Sequence, residues 1–189
     1  MSLNGWHQHE IDNLRGVGDR WDDLRFPVTS INPPGAVSDP DIDPDSGLLL
    51  FAASGTELIY TVAQMPHAWK EGSEIIPHVH WCKSTSAVGN VAWRLRYLLV
   101  DIGEVAGGWV DSGIADVPNV SDGDTAMLHA LTQWPAIDMT GKTISCIINF
   151  EISRVGSDVL DTYGADARLA EFDLHYMVDS RGSRQEYIK

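Results

Sequence analysis

The segment Thr143-Ile-Ser-Cys-Ile-Ile-Asn-Phe-Glu-Ile152 decides the fold. Ile144, Cys146, Ile148, Phe150 and Ile152 recur at every second position, against Thr143, Ser145, Asn149 and Glu151. A period of two is the strand period, because successive side chains of an extended chain point to opposite faces. The same alternation runs through Asn90–Asp101, where Val91, Trp93, Leu95, Tyr97 and Leu99 oppose Arg94 and Arg96. It returns in Leu169–Val178, with Ala170, Phe172, Leu174, Tyr176 and Val178 on one side and Glu171, Asp173 and His175 on the other. Shorter apolar runs occupy Leu48–Ala53, Leu58–Met65 and Glu74–Ser84, with a weaker one at Trp109–Val117. Ser54-Gly-Thr56 has turn chemistry, which predicts a hairpin of the first two. Only Asp122–Thr132 reads as a helix. Many short strands separated by Gly, Pro, Asp and Ser turns predict an all-β protein, a jelly-roll-like antiparallel β-sandwich of about eight strands. No repeat period is visible, which argues against a propeller or solenoid.

Residues 1–46 have a different texture. Pro27, Pro33, Pro34, Pro40 and Pro44 interrupt any regular ladder, and Asp39-Pro-Asp-Ile-Asp-Pro-Asp45 is too charged to bury itself. Trp21, Leu24, Phe26, Val28 and Ile31 are nevertheless too apolar for a free tail. The expectation is an extended N-terminal arm over 1–46, docked on its own domain or a neighbour, and a β-sandwich domain over 47–189.

Composition narrows the function. The 189-residue chain carries a formal net charge of −14. So acidic a surface repels phosphate, so no direct nucleic-acid partner is expected. No apolar run is long enough to span a bilayer, and the opening residues lack a basic-then-apolar leader, so neither a membrane nor a secretory route is expected. Cys82 and Cys146 lie in apparent strands without metal-knuckle or redox spacing and read as reduced core residues.

Catalytic patterns are scarce. No Gly-x-Ser-x-Gly elbow is present, and Gly16-Val-Gly18 lacks the remainder of a phosphate-binding loop. Asp41-x-Asp43-x-Asp45 opens like a calcium loop, but Ser46 and Ala52 stand where such a loop needs glycine and glutamate, so it reads as a solvated turn. The sharpest feature is His78-Val-His80. Two residues apart on a strand, both imidazoles share a face and can reach one ion. With Gly72 the spacing resembles the start of the first cupin motif, but the following Trp81-Cys-Lys-Ser-Thr-Ser86 has no glutamate and no second motif appears. His175 is the later histidine on a convincing strand, and His129 sits in an ambiguous stretch. The expectation is therefore no cofactor, no catalytic residue and no metal, with His78, His80 and His175 the residues to watch.

Seven tryptophans are many for this length. Trp93 belongs to the core pattern, whereas Trp6, Trp21, Trp69 and Trp81 lie in or beside polar segments. With Phe26 they are the candidates for contacts with other protein chains.

Four phrases carry a family resemblance: Trp21-Asp-Asp-Leu-Arg-Phe-Pro27, Gln64-Met-Pro-His-Ala-Trp-Lys70, Pro77-His-Val-His-Trp81 and Gly182-Ser-Arg-Gln-Glu-Tyr187. Together they resemble a group of small structural proteins of tailed bacteriophages and prophages. The resemblance implies a non-enzymatic head-decoration, tail or fibre-attachment subunit, made in the host bacterial cytoplasm and resident in the virion. It implies partners among other virion proteins and copies of itself, with a homotrimer expected. Two other readings stand beside it: a cupin-like metal-dependent enzyme built on the His-x-His pair, and a carbohydrate-binding module that stacks sugars on exposed tryptophans.

Overall fold

The computed structural model describes residues 19–31, 33–35, 37–115 and 126–189. Its strands are β1 Arg20–Pro27, β2 Asp41–Ile42, β3 Leu49–Phe51, β4 Thr56–Gln64, β5 Ile75–Lys83, β6 Trp93–Val100, β7 Val110–Ile114, β8 His129–Gln133, β9 Ile147–Val155 and β10 Ala167–Val178. Among the described residues the helical content is one 3-10 turn, Val28–Ser30. Residues 129–132 of the segment read as a helix belong instead to strand β8, and 122–125 lie outside the described residues. Leu131 and Thr132 alternate between exposed and buried there, so tertiary pairing with β5 overrides a weak helical pattern.

The strands form two antiparallel sheets. One runs β2-β3-β10-β5-β8 with β1 also on β10, and the other runs β4-β9-β6-β7. From β3 to β10 the chain visits the first sheet, the second, the first, the second twice, then first, second and first. That alternation across two stacked four-strand sheets is a jelly roll of eight strands. Strands β1 and β2 are additions to the first sheet.

Burial follows the sequence pattern closely. Ile144, Cys146, Ile148, Phe150 and Ile152 are all fully buried, and the last four share one core cluster with Phe51, Val79, Trp81 and Phe172. The strand itself begins at Ile147, after a turn at Ile144 and Ser145, where Ser145 has φ +66°. Strand β10 departs from simple alternation. Its pairing with β5 slips between Leu169 and Glu171, leaving Ala170 as the extra residue of a bulge. Ala167 and Leu169 point inward before it, and Phe172, Leu174 and Tyr176 after it. Ala170, expected among the inward residues, is therefore displaced to the outer side, where it lines a cleft.

The expected arm is largely part of the first sheet. All eight residues of β1 pair with β10, from Arg20 opposite Val178 to Pro27 opposite Glu171. Arg25 forks onto Glu171 at 2.6 and 2.7 Å, and Val28 and Ile31 enter the core. The Asp-rich stretch is not wholly wet either. Asp43 is 4% exposed, accepting from Ser46 Oγ at 2.6 Å and from Arg168 Nε at 2.5 Å. Its carboxylate is thus engaged in a turn and an ion pair.

One buried cation organises the loops at the far end of β9. Arg154 is fully buried and uses all five of its N–H donors: two on Asp161 (2.9 and 2.8 Å), and the others on the carbonyls of Phe51, Ala165 and Tyr163 at 2.9, 2.8 and 2.6 Å. Nearby, Gly89 (φ +145°) packs against the Thr162–Tyr163 backbone so closely that a Cβ would lie 2.6 Å from Thr162 O and Tyr163 Cα. Only glycine fits there.

Candidate functional site

The first sheet turns a polar outer face to solvent. Because Val79 and Trp81 point into the core, the intervening His78 and His80 point out from β5. Register then places Asp173 of β10 directly opposite His78, and Glu171 opposite His80. On the other side of β10, Asp23 of β1 stands opposite His175 and Arg25 opposite Asp173. His129 of β8 completes the row, opposite Cys82 and next to His80.

The result is a chain of imidazoles across the sheet. Ring centroids are 4.9 Å apart for His129 and His80, 5.0 Å for His80 and His78, and 4.3 Å for His78 and His175. His80 Nδ1 and His129 Nε2 share a hydrogen bond of 2.7 Å, and His175 Nε2 lies 2.9 Å from Asp23 Oδ1. Asp173 sits at the centre. His78 Nε2 is 2.5 Å from its Oδ1 and His80 Nε2 is 3.4 Å from its Oδ2. The Asp173 side chain is only 5% exposed. The His78 contact lies off the ring N–H direction, so Oδ1 is a buried acceptor without a hydrogen-bond partner among the described residues. Beside the cluster opens a cleft of about 440 Å³ lined by Asp23, Arg25, His80, His129, Ala170, Glu171 and Asp173.

The two strand histidines titrate in opposite directions. Burial is the largest influence on His78 and disfavours its charge, but the Asp173 carboxylate, with help from Ile76 O and Asp23, outweighs it and raises the pKa above 6.5. For His80 burial prevails: with His78 and His129 adding to it against Asp173, the pKa falls below 6.5. The surroundings thus favour the protonated form of His78 beside Asp173 and the neutral form of His80, which can share a hydrogen bond with His129.

The sequence pair His78 and His80 is brought together, but His175 is not the third member of their cluster. Its Nε2 turns to Asp23, and the third convergent donor is Asp173. Asp173 drew no notice because an acidic residue at an outward strand position is ordinary in so acidic a chain. Only the register of β10 on β5 reveals it. No cupin-type glutamate or second motif takes that place.

The tryptophan expectations divide. Trp69 and Trp81 are 0% and 1% exposed, core residues of this chain and not contacts for another. Trp81 Nε1 donates to Thr132 Oγ1 at 2.9 Å, which lets an indole beside polar sequence be buried. Trp21 is exposed, Phe26 is half-buried with its ring 5.9 Å from that of Phe172, and Trp6 lies outside the described residues. An aromatic surface missed from sequence lies on the second sheet. There Tyr60 and Val62 of β4, Glu151 of β9 and Arg96 and Leu98 of β6 face outward in adjacent rows. Glu151 accepts from Tyr60 Oη at 3.0 Å and from Arg96 Nη1 at 3.0 and 3.1 Å, while the Arg96 guanidinium lies 5.4 Å from the Trp109 ring centre. Tyr60, Val62 and Trp109 remain 41%, 55% and 39% exposed.

Two of the four phrases that carry the family resemblance also meet, through His67 and Ser183. His67 joins Ser183 Oγ (2.6 Å) and Ser145 Oγ (3.2 Å), Lys70 N donates to Met177 O, and Lys189 Nζ reaches the carbonyls of Ala68 and Trp69. The Gln64–Lys70 phrase is thus tied to the segment that follows β10.

No protein-family model and no curated protein matches this chain. Among solved structures it is similar to the Caldicellulosiruptor saccharolyticus module CBM27-1 in complex with mannohexaose, at 9% identity over 80% of this chain and 96% of that one, with a TM-score of 0.38. The CBM22-1–GH10 modules of Clostridium thermocellum endo-1,4-beta-D-xylanase 10B, complexed with xylohexaose, match at 9% identity over 89% of this chain and 27% of theirs (TM-score 0.37). Dimeric latent PorU from Porphyromonas gingivalis matches at 7% identity over 85% and 13% (TM-score 0.37). The chain spans about a quarter or less of the length of these last two. At such scores the likeness carries neither ligand nor partner to this chain. Among the described residues no helix is long and apolar enough to cross a membrane.

Proposed function

We propose that this protein is a non-enzymatic structural subunit of a tailed-bacteriophage particle that acts by packing against copies of itself and other virion proteins. The observation that supports assembly is the outer face of the second sheet. Tyr, Trp and Arg are the residue types that anchor protein interfaces, and here they surround a buried glutamate with an apolar fringe of Val62 and Leu98. The Tyr60 and Trp109 rings are inclined at 52°, and Arg96 covers one indole face. Such a surface suits an interdigitating protein partner better than the flat ring of a sugar. The −14 charge keeps the subunit on the outside of packaged DNA.

The test joins mass measurement with particle analysis. Wild-type protein is expected as a trimer by light scattering, near three times 20.8 kDa, and in purified particles by mass spectrometry. Replacing Tyr60 and Trp109 together by alanine should leave the unfolding midpoint within a few degrees and lower the oligomer mass. A monomer at every concentration that is also absent from particles would overturn the reading. So would a glycan that quenches Trp109 fluorescence with micromolar affinity.

A further inference from the structure

We infer that His78, His80 and Asp173 form a site for one first-row divalent transition-metal ion of the zinc type, held by the two imidazole Nε2 atoms and the Asp173 carboxylate. Ligand atoms of these residues lie within 4.8 Å of one another. They come from adjacent strands, β5 and β10, whose pairing fixes their spacing, so the arrangement is built by the sheet and not by a loop.

Three further features bear on it. Both histidines present Nε2 to the carboxylate, and both Nδ1 atoms have acceptors within reach: Ile76 O at 3.5 Å for His78 and His129 Nε2 at 2.7 Å for His80. A metal-binding imidazole needs that disposition, one nitrogen bare for the ion and the other N–H engaged. Secondly, Asp173 Oδ1 is a buried oxygen without a hydrogen bond. Such an atom costs on the order of 1–3 kcal/mol unless something satisfies it, and a cation does so. Thirdly, Asp173 and His80 line the cleft, which leaves one side of the cluster open to water or to an incoming ligand. Two imidazoles and one carboxylate suit zinc, iron, cobalt or nickel, whereas calcium and magnesium prefer oxygen donors alone. This inference runs against the sequence expectation of no metal. Its site lies on the first sheet and is independent of the assembly surface on the second.

The competing account is an imidazolium–carboxylate pair between His78 and Asp173 that needs no ion. The two separate in a titration. Full-length protein stripped with EDTA and dialysed is titrated with ZnCl2 by calorimetry and with CoCl2 by visible absorption. The expected result is one ion per chain, with cobalt bands of a low-coordinate nitrogen–oxygen site that added zinc abolishes. His80→Gln, at a side chain 23% exposed and so tolerant of change, should weaken zinc binding by more than the ~10–100-fold that even outer-shell changes cost. His129→Ala should retain the one-to-one stoichiometry and lose ~10-fold in affinity. Failure of wild-type protein to bind zinc stoichiometrically overturns the inference. Unchanged affinity in a folded His80→Gln protein overturns it too, because the ion then sits elsewhere. Should that variant not fold, the wild-type cobalt spectrum decides alone.

Discussion

Replacing Arg154 by methionine tests whether the loops at the end of β9 are held by one charge. The substitution keeps most of the stem volume and removes every donor. Asp161, 1% exposed, then keeps a buried carboxylate with only the Ala92 amide beside it. Breaking such a pair from one side costs about 3–5 kcal/mol. Three carbonyls, those of Phe51, Tyr163 and Ala165, lose a donor at the same time. At ~1 kcal/mol for each lost bond, the total is roughly 6–8 kcal/mol, comparable with the whole stability of many domains. Asp161→Asn removes the charge but keeps an oxygen for Arg154 and Ala92, so about 2–3 kcal/mol is expected. The double variant should recover the charge part of that loss and remain about 3 kcal/mol below wild type, because the three orphaned carbonyls remain. Equilibrium urea unfolding followed by tryptophan fluorescence measures all three. Recovery of the double variant to within ~1 kcal/mol of wild type would place the energy in the ion pair and refute the anchoring argument. If Arg154→Met is insoluble, Arg154→Lys serves, with an intermediate loss expected.

Further outcomes are expected elsewhere. Gly89→Ala forces a Cβ to within 2.6 Å of backbone and should lower stability by about 2 kcal/mol or more, measured by the same unfolding curves. Removing residues 1–31 deletes β1 and the buried Val28 and Ile31, for a loss of ~3–6 kcal/mol and an exposed β10 edge prone to association; an unchanged midpoint would show that the segment only decorates the sheet. Burial, with the Asp101 charge behind it, pushes the Cys146 thiol up to about 11, so a thiol-specific reagent at pH 8 should label native protein only as fast as it unfolds. Asp101 is partly desolvated, yet the Thr143 hydroxyl and the Ile102 and Thr143 amides hold its carboxyl below 3.8. Its contribution is therefore complete above pH 3.8 and lost as pH falls through the lower folded-state value, so the stability gap between wild type and Asp101→Asn should close in acid.

The alternating strands were legible because one face of each is dry. Ile148 to Ile152 and Trp93 to Leu95 lie as their spacing says, and the count of about eight strands follows from such runs, whereas Ile144 and Ser145 form a turn ahead of β9. What stayed hidden depends on pairing. Trp69 and Trp81 look like surface aromatics because prolines, histidines and lysines surround them. Burial becomes visible only when Thr132 arrives from another strand to take the Trp81 N–H. Asp173 is hidden for the same reason, since nothing near it in sequence distinguishes it from other acidic residues of the chain. The helical reading of 122–132 failed where five residues were too few for a period of two to outweigh the neighbouring turn. The ladder between the arm and β10 was not legible because prolines at 27, 33 and 34 suggest an unpaired segment, whereas Pro27 merely ends a fully paired strand.

The bulge at Ala170 has a consequence for how this protein tolerates length changes. Upstream of it odd-numbered positions of β10 face the interior, and downstream the even-numbered ones do. Excising that single residue would join Leu169 to Glu171, whose partners Trp81 and His80 are already consecutive, so plain alternation would return with Phe172, Leu174 and Tyr176 still turned inward. One missing codon there should therefore be tolerated better than one missing between Phe172 and Tyr176, where the same excision would swing every later side chain of the strand to the opposite face.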